Sequence, residues 1–572
     1  MDKVIGILAL LIYFWFAPAG SAAQVEMPPK EAIGTASAAA PALESEAVQI
    51  KLEKNALAGT LPLTLNGAVE LALERNPNLV VEKIRVEQAR GKIEEEKGNY
   101  DPVFNLRGTL SRKDNVVASR FYPTGLYVDS EQAQGIGLQS RLYTGARFGI
   151  DLDFKRLAST SNTQTLSPQY AATFAFTFLQ PLLRDFGWGV NTTRLRVAQL
   201  GEPIAERTLA QRTGQLVQQV EEGYWSLLYL RQDLEVRKNS FFIAQELLRR
   251  SEDLFKAGRV AAVSVLEARS GMAAREEALI VAEREYNKFE DRLKLLLNLD
   301  PGKTNVSLLD LPNKEPVALD SAKSVELALK QRPEIQALQL ELEQRDLEQK
   351  FAANQTLPRL DITAQYGMNG ISGRPNKTCT DPRLADPITG VCPENLQVGN
   401  SVDGSIFKGE RRPKDAFDKF FTHNPFDNWS VELKLQIPLW NRTANAQLSE
   451  ANLRLNESKV RLRAARDQIE TEVRDAVREV ITAKRRMEAA LETIKFVEDQ
   501  LDGSRKKFEA GLGSSYEVLQ VVDDLEKARS NENRAVLDYN VGQSKLRLAE
   551  STVLAHFNIE LKKTPRYQFI DK

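Results

Sequence analysis

The chain has 572 residues, 27% of them charged and only 7% aromatic, and its 77 basic and 78 acidic side chains leave a formal net charge of -1. So many charges with so few aromatics favour long exposed helices over thick globular cores. The balance of signs excludes the basic surface that nucleic acid requires, so no nucleic-acid partner is expected.

At the N-terminus, Lys3 precedes an apolar run from Val4 to Ala17, and Ala19, Gly20, Ser21, Ala22 and Ala23 follow. This is the layout of a secretory signal over residues 1–23, because a run of about 14 residues is short of the roughly 20 that span a bilayer. No Cys sits at the cleavage region, so lipid attachment there is not indicated. Residues 24–61, rich in Ala, Pro, Ser and Glu without periodicity, read as a disordered leader. No later segment reads as a spanning helix, so any contact with a bilayer must be made by strands.

From there the sequence repeats itself, with residues 62–310 forming one unit, 311–320 a linker, 321–554 a second unit and 555–572 a tail. Leu71, Ala72, Leu73, Pro77 and Pro102 match Leu327, Ala328, Leu329, Pro333 and Pro358 at one offset. Pro181 and Leu182 match Pro438 and Leu439, and Phe255, Ala257, Gly258, Val265, Leu266 and Tyr286 match Phe508, Ala510, Gly511, Val518, Leu519 and Tyr539. So many matches in register with one element order mark an internal duplication.

Each unit contains an outgoing and a returning amphipathic strand. Phe104, Leu106 and Leu110 alternate with polar residues, as do Leu360, Ile362, Ala364 and Tyr366, and the return strands carry Phe174, Phe176 and Phe178 or Trp429, Val431, Leu433, Leu435 and Ile437. At about nine residues each, they have transmembrane β length. Four strands cannot close a spanning barrel when the smallest single-chain examples use about eight, so several chains must share one. Residues 138–154, with a turn at Thr144 and Gly145 and alternation at Phe148, Ile150, Leu152 and Phe154, leave open an extra hairpin or a prolonged strand. The irregular segment from Gly370 to about Asn428 suits an outer mouth or cap.

The helices are longer than any globular core needs. Residues 193–256 keep coiled-coil spacing at Leu209, Leu216, Val220, Leu227, Leu230 and Leu234, and 439–509 is longer still, so each predicts a rod of about 100 Å. Their partners, 262–298 and 515–552, cover just over half that length. Helices 64–98 and 321–356 have the right length to stack end to end with them and complete two antiparallel layers.

These strands, prolines and glycine turns resemble a TolC-type outer-membrane efflux protein over about Pro62 to Leu554. The resemblance implies a mostly helical α+β fold: a long helical-hairpin α-barrel in the periplasm and a 12-stranded membrane β-barrel shared between three chains. It implies an outer-membrane channel-tunnel, the exit duct of a tripartite efflux pump or type I secretion system, partnered by a periplasmic adaptor (membrane fusion) protein and an inner-membrane transporter. In that family the hairpin turns dock the adaptor, and the matching residues here are Ala257, Gly258, Arg259, Ala510, Gly511 and Leu512. The family's aperture acids fall on Glu517 and Gln520, with Ser264 and Glu267 at the equivalent first-repeat positions, so only part of the gate pattern is kept. Asp523 and Asp524 read as solvated helix-surface acids.

Catalysis is not expected. His423 and His556 have no metal-ligand spacing, and neither a phosphate loop nor a nucleophile elbow is present, so no cofactor is implied. Cys379 and Cys392 lie in a Pro/Gly/Asn-rich loop, where export to an oxidising compartment favours a local disulfide over a metal site. The alternative in another class is an envelope coiled-coil scaffold, which leaves the signal and the paired strands unexplained.

Overall fold

A computed structural model describes residues 60–118, 125–161, 164, 166–302, 305–315, 317, 319–375, 377–379, 397–399, 412–418, 426–509 and 512–560. The signal, nearly all of the leader, Cys392, His423, Ala510, Gly511 and most of the 370–428 loop lie outside the described residues.

The first repeat comprises β1 (Thr60–Leu63), α1 (Leu65–Arg75), α2 (Pro77–Gly98), β2 (Val103–Val116), β3 (Leu126–Arg141), β4 (Arg147–Ser159), β5 (Leu166–Pro181), α3 (Trp188–Asn191), α4 (Thr193–Lys256), α5 (Ala262–Leu296) and β6 (Asn305–Leu308). The second comprises α6 (Ser321–Gln331), α7 (Pro333–Gln355), β7 (Arg359–Pro375), the short β8 (Lys377–Cys379), β9 (Gln397–Gly399) and α8 (Pro413–Asp418), then β10 (Asp427–Gln436), α9 (Arg442–Glu509), α10 (Ser515–Ala549) and α11 (Val553–His556).

The paired prolines explain how short helices extend a long layer. Asn76 ends α1 and caps α2, accepting from the Asn78 N–H at 3.0 Å, and Pro77 occupies a first-turn position where its missing N–H is harmless. The Asn76 amide also donates to the Leu296 carbonyl at the end of α5, at 3.0 Å. In the second repeat Arg332, just before Pro333, donates from Nε to the Ala549 carbonyl at the end of α10, at 2.7 Å. Thus α2 continues α5 and α7 continues α10, lying along the 64-residue α4 and the 68-residue α9. End-to-end stacking was expected of unbroken helices 64–98 and 321–356; instead each breaks before its proline, and only the part after the break, α2 or α7, takes part in the stack.

The layers meet along narrow apolar seams. One joins Ile335 of α7, Val473, Val477 and Val480 of α9, and Val536 and Tyr539 of α10; a second, nearer the hairpin turns, joins Leu247, Leu501, Phe508, Val518 and Leu525. Charges are admitted to the seams only when paired. Glu221, 2% exposed, accepts from the Ser544 hydroxyl at 2.6 Å and pairs with Arg547, while Arg332 grips Glu472 with two nitrogens at 3.0 and 2.8 Å.

The parallel β1–β6 pair packs at mid-helix, and β1 takes in the last two residues assigned to the leader. Tyr224 of α4, fully buried, anchors it: its hydroxyl lies 3.0 Å from the Leu63 carbonyl and 2.9 Å from the Asp310 carboxylate, and accepts from the Asp310 N–H at 3.2 Å.

The main sheet differs from expectation. It has six strands in the order β10-β7-β5-β4-β3-β2, all neighbours antiparallel, where two per repeat were expected. Residues 138–154 belong to an extra hairpin, β3 and β4, inserted between β2 and β5. The alternation of β4 was visible in the sequence. That of β3 was obscured because Gly135, Gly137, Gln132 and Gln134 interrupt it, leaving Ile136 and Leu138 as its clear apolar signal.

The turn of this extra hairpin is keyed into the helices. Gly145 has φ of 93°, and a Cβ there would meet the Asp185 carbonyl oxygen at 2.4 Å, so only glycine fits. Beside it Arg141 donates to Asn191 Oδ1 at 2.8 Å, the Tyr100 hydroxyl donates to the Asn191 carbonyl at 2.6 Å, and Tyr143 stacks between Tyr100 and Trp188.

Candidate functional site

Strand register sorts the side chains of the sheet onto two unlike faces. On one, Phe104 pairs with Leu138, Leu138 with Ile150, Ile150 with Phe176, Phe176 with Tyr366 and Tyr366 with Trp429, so an apolar band crosses all six strands. The other face carries Asn105, Arg107, Asp151, Asp153, Thr173, Thr177, Gln365, Ser430, Glu432 and Lys434. On that polar face Lys155 and Glu131 pair at 2.8 Å, and Arg107 reaches Asp153 at 4.0 Å across Gly135, whose missing side chain leaves the space.

Among the described residues no apolar layer covers the band. Leu106 is 60% exposed, Leu110 81%, Trp429 75% and Leu433 66%, which no half-buried strand of a soluble sandwich tolerates. Next to it, where strands meet helices, Trp188, Phe186, Leu439 and Trp440 are exposed too, the placement of aromatic residues at a membrane interface. Among the described residues no helix is long and apolar enough to cross a membrane.

At the opposite end are the hairpin turns. After α4, Gly258 has φ of 70°, its N–H donates to the Phe255 carbonyl at 2.9 Å, and the Arg259 N–H donates to the Leu254 carbonyl at 2.9 Å. This pair of bonds is the glycine-ended helix stop that satisfies the last carbonyls. In the second repeat the Leu512 N–H donates to the Lys507 carbonyl at 2.9 Å, the same outer bond at the matching position. Leu512 and Tyr516 are strongly exposed at this turn, as are Val263 and Leu266 at the other.

The four expected aperture residues all fall within the first two turns of the returning helices. Glu517 and Gln520 are exposed on α10, whereas Ser264 and Glu267 are half-buried on α5. The Ser514 hydroxyl accepts from the Glu517 N–H at 3.2 Å, so the Glu517 carboxylate also sits where it complements a helix N-terminus.

A residue that no local pattern singles out links the two hairpins. Arg275 of α5, whose side chain is 9% exposed, donates to the Leu519 carbonyl and to Asp523 Oδ1, each at 3.0 Å, and to its own helix at Gly271. Asp523 is therefore part of an interhelix bridge, not only a solvated acid, and it also meets Lys527 at 3.4 Å. Close approach depends on Gly271, where a Cβ would lie 2.8 Å from a Leu519 methyl. One step further from the turn, Arg237 of α4 contacts Glu526 at 3.1 Å, and the Ser530 hydroxyl donates to Asp233 at 2.6 Å.

Long polar hairpins ending in paired turns, joined to a one-layer sheet with an exposed apolar band, form the frame of a membrane duct. The family model described as outer membrane efflux protein matches residues 68–299 and 324–552, one match for each repeat. The chain belongs to that family. Membership places this outer membrane efflux protein among channels and not among enzymes.

Its fold is also that of solved channels. The Campylobacter jejuni CmeC outer membrane channel is 15% identical with a TM-score of 0.60, over 95% of this chain and 96% of its own. The outer membrane protein VceC of Vibrio cholerae is 15% identical at TM-score 0.56, covering 85% and 95%. The Neisseria gonorrhoeae MtrE outer membrane channel, in its open state, is 16% identical at 0.54, covering 86% and 89%. No curated protein sequence matches the chain significantly.

Proposed function

We propose that three copies of this protein form an outer-membrane channel-tunnel, the exit duct through which an inner-membrane transporter, coupled by a periplasmic adaptor, expels its cargo. The observation that carries this reading is the sheet, with an exposed apolar band on one face, a polar opposite face and two edges that pair with no other described strand, fused to helices about 100 Å long. A sheet in lipid cannot keep open edges, because unsatisfied backbone groups there cost several kcal/mol each. Neighbouring chains satisfy them. The apolar band then faces lipid, the polar face lines the lumen and the helices continue the lumen through the periplasm.

The hairpin turns are the adaptor-docking points in this reading. The proposed contacts are Ala257, Gly258 and Arg259 in the first turn and Ala510, Gly511 and Leu512 in the second; Leu512 and Tyr516 at the second turn and Val263 and Leu266 at the first are exposed. Glu517, Gln520, Ser264 and Glu267 border the aperture, and three copies of Glu517 about a narrow axis favour cations there. Energy for transport comes from the inner-membrane partner.

Gly511→Val separates docking from conduction. A β-branched residue at the turn raises the cost of the helix stop and obstructs the adaptor. Export by cells should then fall at least tenfold while the purified channel keeps its single-channel conductance in planar bilayers. Unchanged export would remove the turn from the docking surface, and a variant and parent that both fail to conduct would remove the channel reading.

A further inference from the structure

We infer that the six-stranded sheet closes with two further copies into an 18-stranded barrel, in which β2 of one chain pairs with β10 of the next and Arg107 faces the neighbour's Glu432. The inference rests on the trimer proposed above and goes beyond it in barrel size, in the contact surface and in its register.

Strand direction comes first. Leaving the helices, β2 runs outward and β10 returns, and the six strands alternate without exception, so β10 of one chain meets β2 of the next antiparallel like every other pair. These two strands are the sheet edges, and both are exposed along their whole length but for one half-buried residue near the far end of β2.

Register follows from geometry and charge. Stepping straight across the sheet from Val103 leads to Gln139, Gly149, Thr177, Gln365 and Ser430, which lies six residues before Gln436, the last residue of β10. If the helix-side ends of β10 and the next β2 are level, Val103 meets Gln436 and Ser430 meets Thr109, a stagger of six residues per chain. Six residues of about 3.3 Å over six strands of about 4.8 Å give a tilt of about 35°, within the range of closed barrels.

Moving the joint by one residue would turn lumen side chains to lipid, so only two-residue shifts keep the faces. One such shift gives a tilt of about 25°, too shallow; the other gives about 42°, also admissible. The second sets Arg107 against Lys434, like charges directly opposed, whereas the level register sets Arg107 against Glu432 and, on the lipid side, Leu106 against Leu433 and Leu110 against Trp429. The shifted register also sets apolar residues together on the lipid side, Leu106 against Leu435 and Leu110 against Val431, so charge alone selects the level register.

The consequence is pore width. At equal tilt, 18 strands enclose a barrel about 34 Å across between backbones, against about 23 Å for 12. The β3–β4 hairpin therefore widens the exit half as much again. Its turn is keyed to Asp185 and Asn191, which makes it a built part of the wall. A wide exit suits cargo of macromolecular cross-section.

The test joins covalent closure to a measurement of width. In detergent-solubilised full-length protein, the double variant Arg107→Cys with Glu432→Cys, treated with a short thiol oxidant, should give a ladder ending at three chains, while Arg107→Cys with Lys434→Cys should give little product. The reverse order would overturn the register. Neutral polymers added on the outer side of a bilayer should enter the wild-type mouth up to a size about half as large again as in a variant lacking residues 119–163. Equal cut-offs in two proteins that both form trimers would overturn the 18-stranded barrel and leave the trimer standing. A monomer by light scattering would overturn the trimer itself.

Discussion

Arg275→Ala tests whether the two hairpins of one chain are latched to each other near the turns. The guanidinium makes two bonds across the helix boundary, to the Leu519 carbonyl and the Asp523 carboxylate, each at 3.0 Å. The bond to a carbonyl contributes about 1 kcal/mol, and the charge-assisted bond about 1 kcal/mol after discounting for Asp523, whose side chain is half exposed. Their loss weakens the latch by about 2 kcal/mol, which shifts an equilibrium between latched and released tips about 30-fold toward release. Hydrogen exchange over residues 262–275 should accelerate by about that factor, and recordings in planar bilayers should show more frequent open events. Arg275→Lys, which retains the charge but not the fork, should fall between. Exchange and gating indistinguishable from wild type in Arg275→Ala would refute the latch.

Three further outcomes are expected. Burial pushes the Tyr224 hydroxyl up to about 12 from its ordinary 10; stability from this group is complete below about pH 10 and is lost as pH rises toward 12, so alkaline unfolding should come later in Tyr224→Phe relative to its own neutral stability, itself lower by about 1–3 kcal/mol. Glu517→Ala removes one negative charge per chain, and block by divalent cations from the periplasmic side should weaken; it also removes a favourable helix-start charge, for which a loss of about 0.5 kcal/mol is expected by thermal unfolding. Cys379 and Cys392 should resist thiol labelling in unreduced, unfolded protein and label fully after reduction, and two freely labelled thiols would exclude the local disulfide.

How much of this was legible in the sequence depends on how local each signal is. Pro77, Pro333 and the glycine turns mark chain events that neighbouring residues decide, and helix lengths pointed to end-to-end stacking, though of unbroken helices 64–98 and 321–356. The strand count was not legible in the same way. In β3 the polar face includes Gly135 and Gly137, which make room for Asp153 and Asp151 of the next strand, so its pattern depends on a neighbour that alternation within β3 does not reveal. Arg275 was hidden for a similar reason, since its partners lie 244 and 248 residues away. The parallel β1–β6 pair, four residues on each side, is too short for periodicity to show.

In the proposed assembly, three chains complete one another's barrel in the outer membrane. Light scattering on protein extracted by detergent from the outer-membrane fraction measures it most directly. Three chains per particle are expected, and a single chain recovered in the soluble fraction without detergent would rule out a shared barrel.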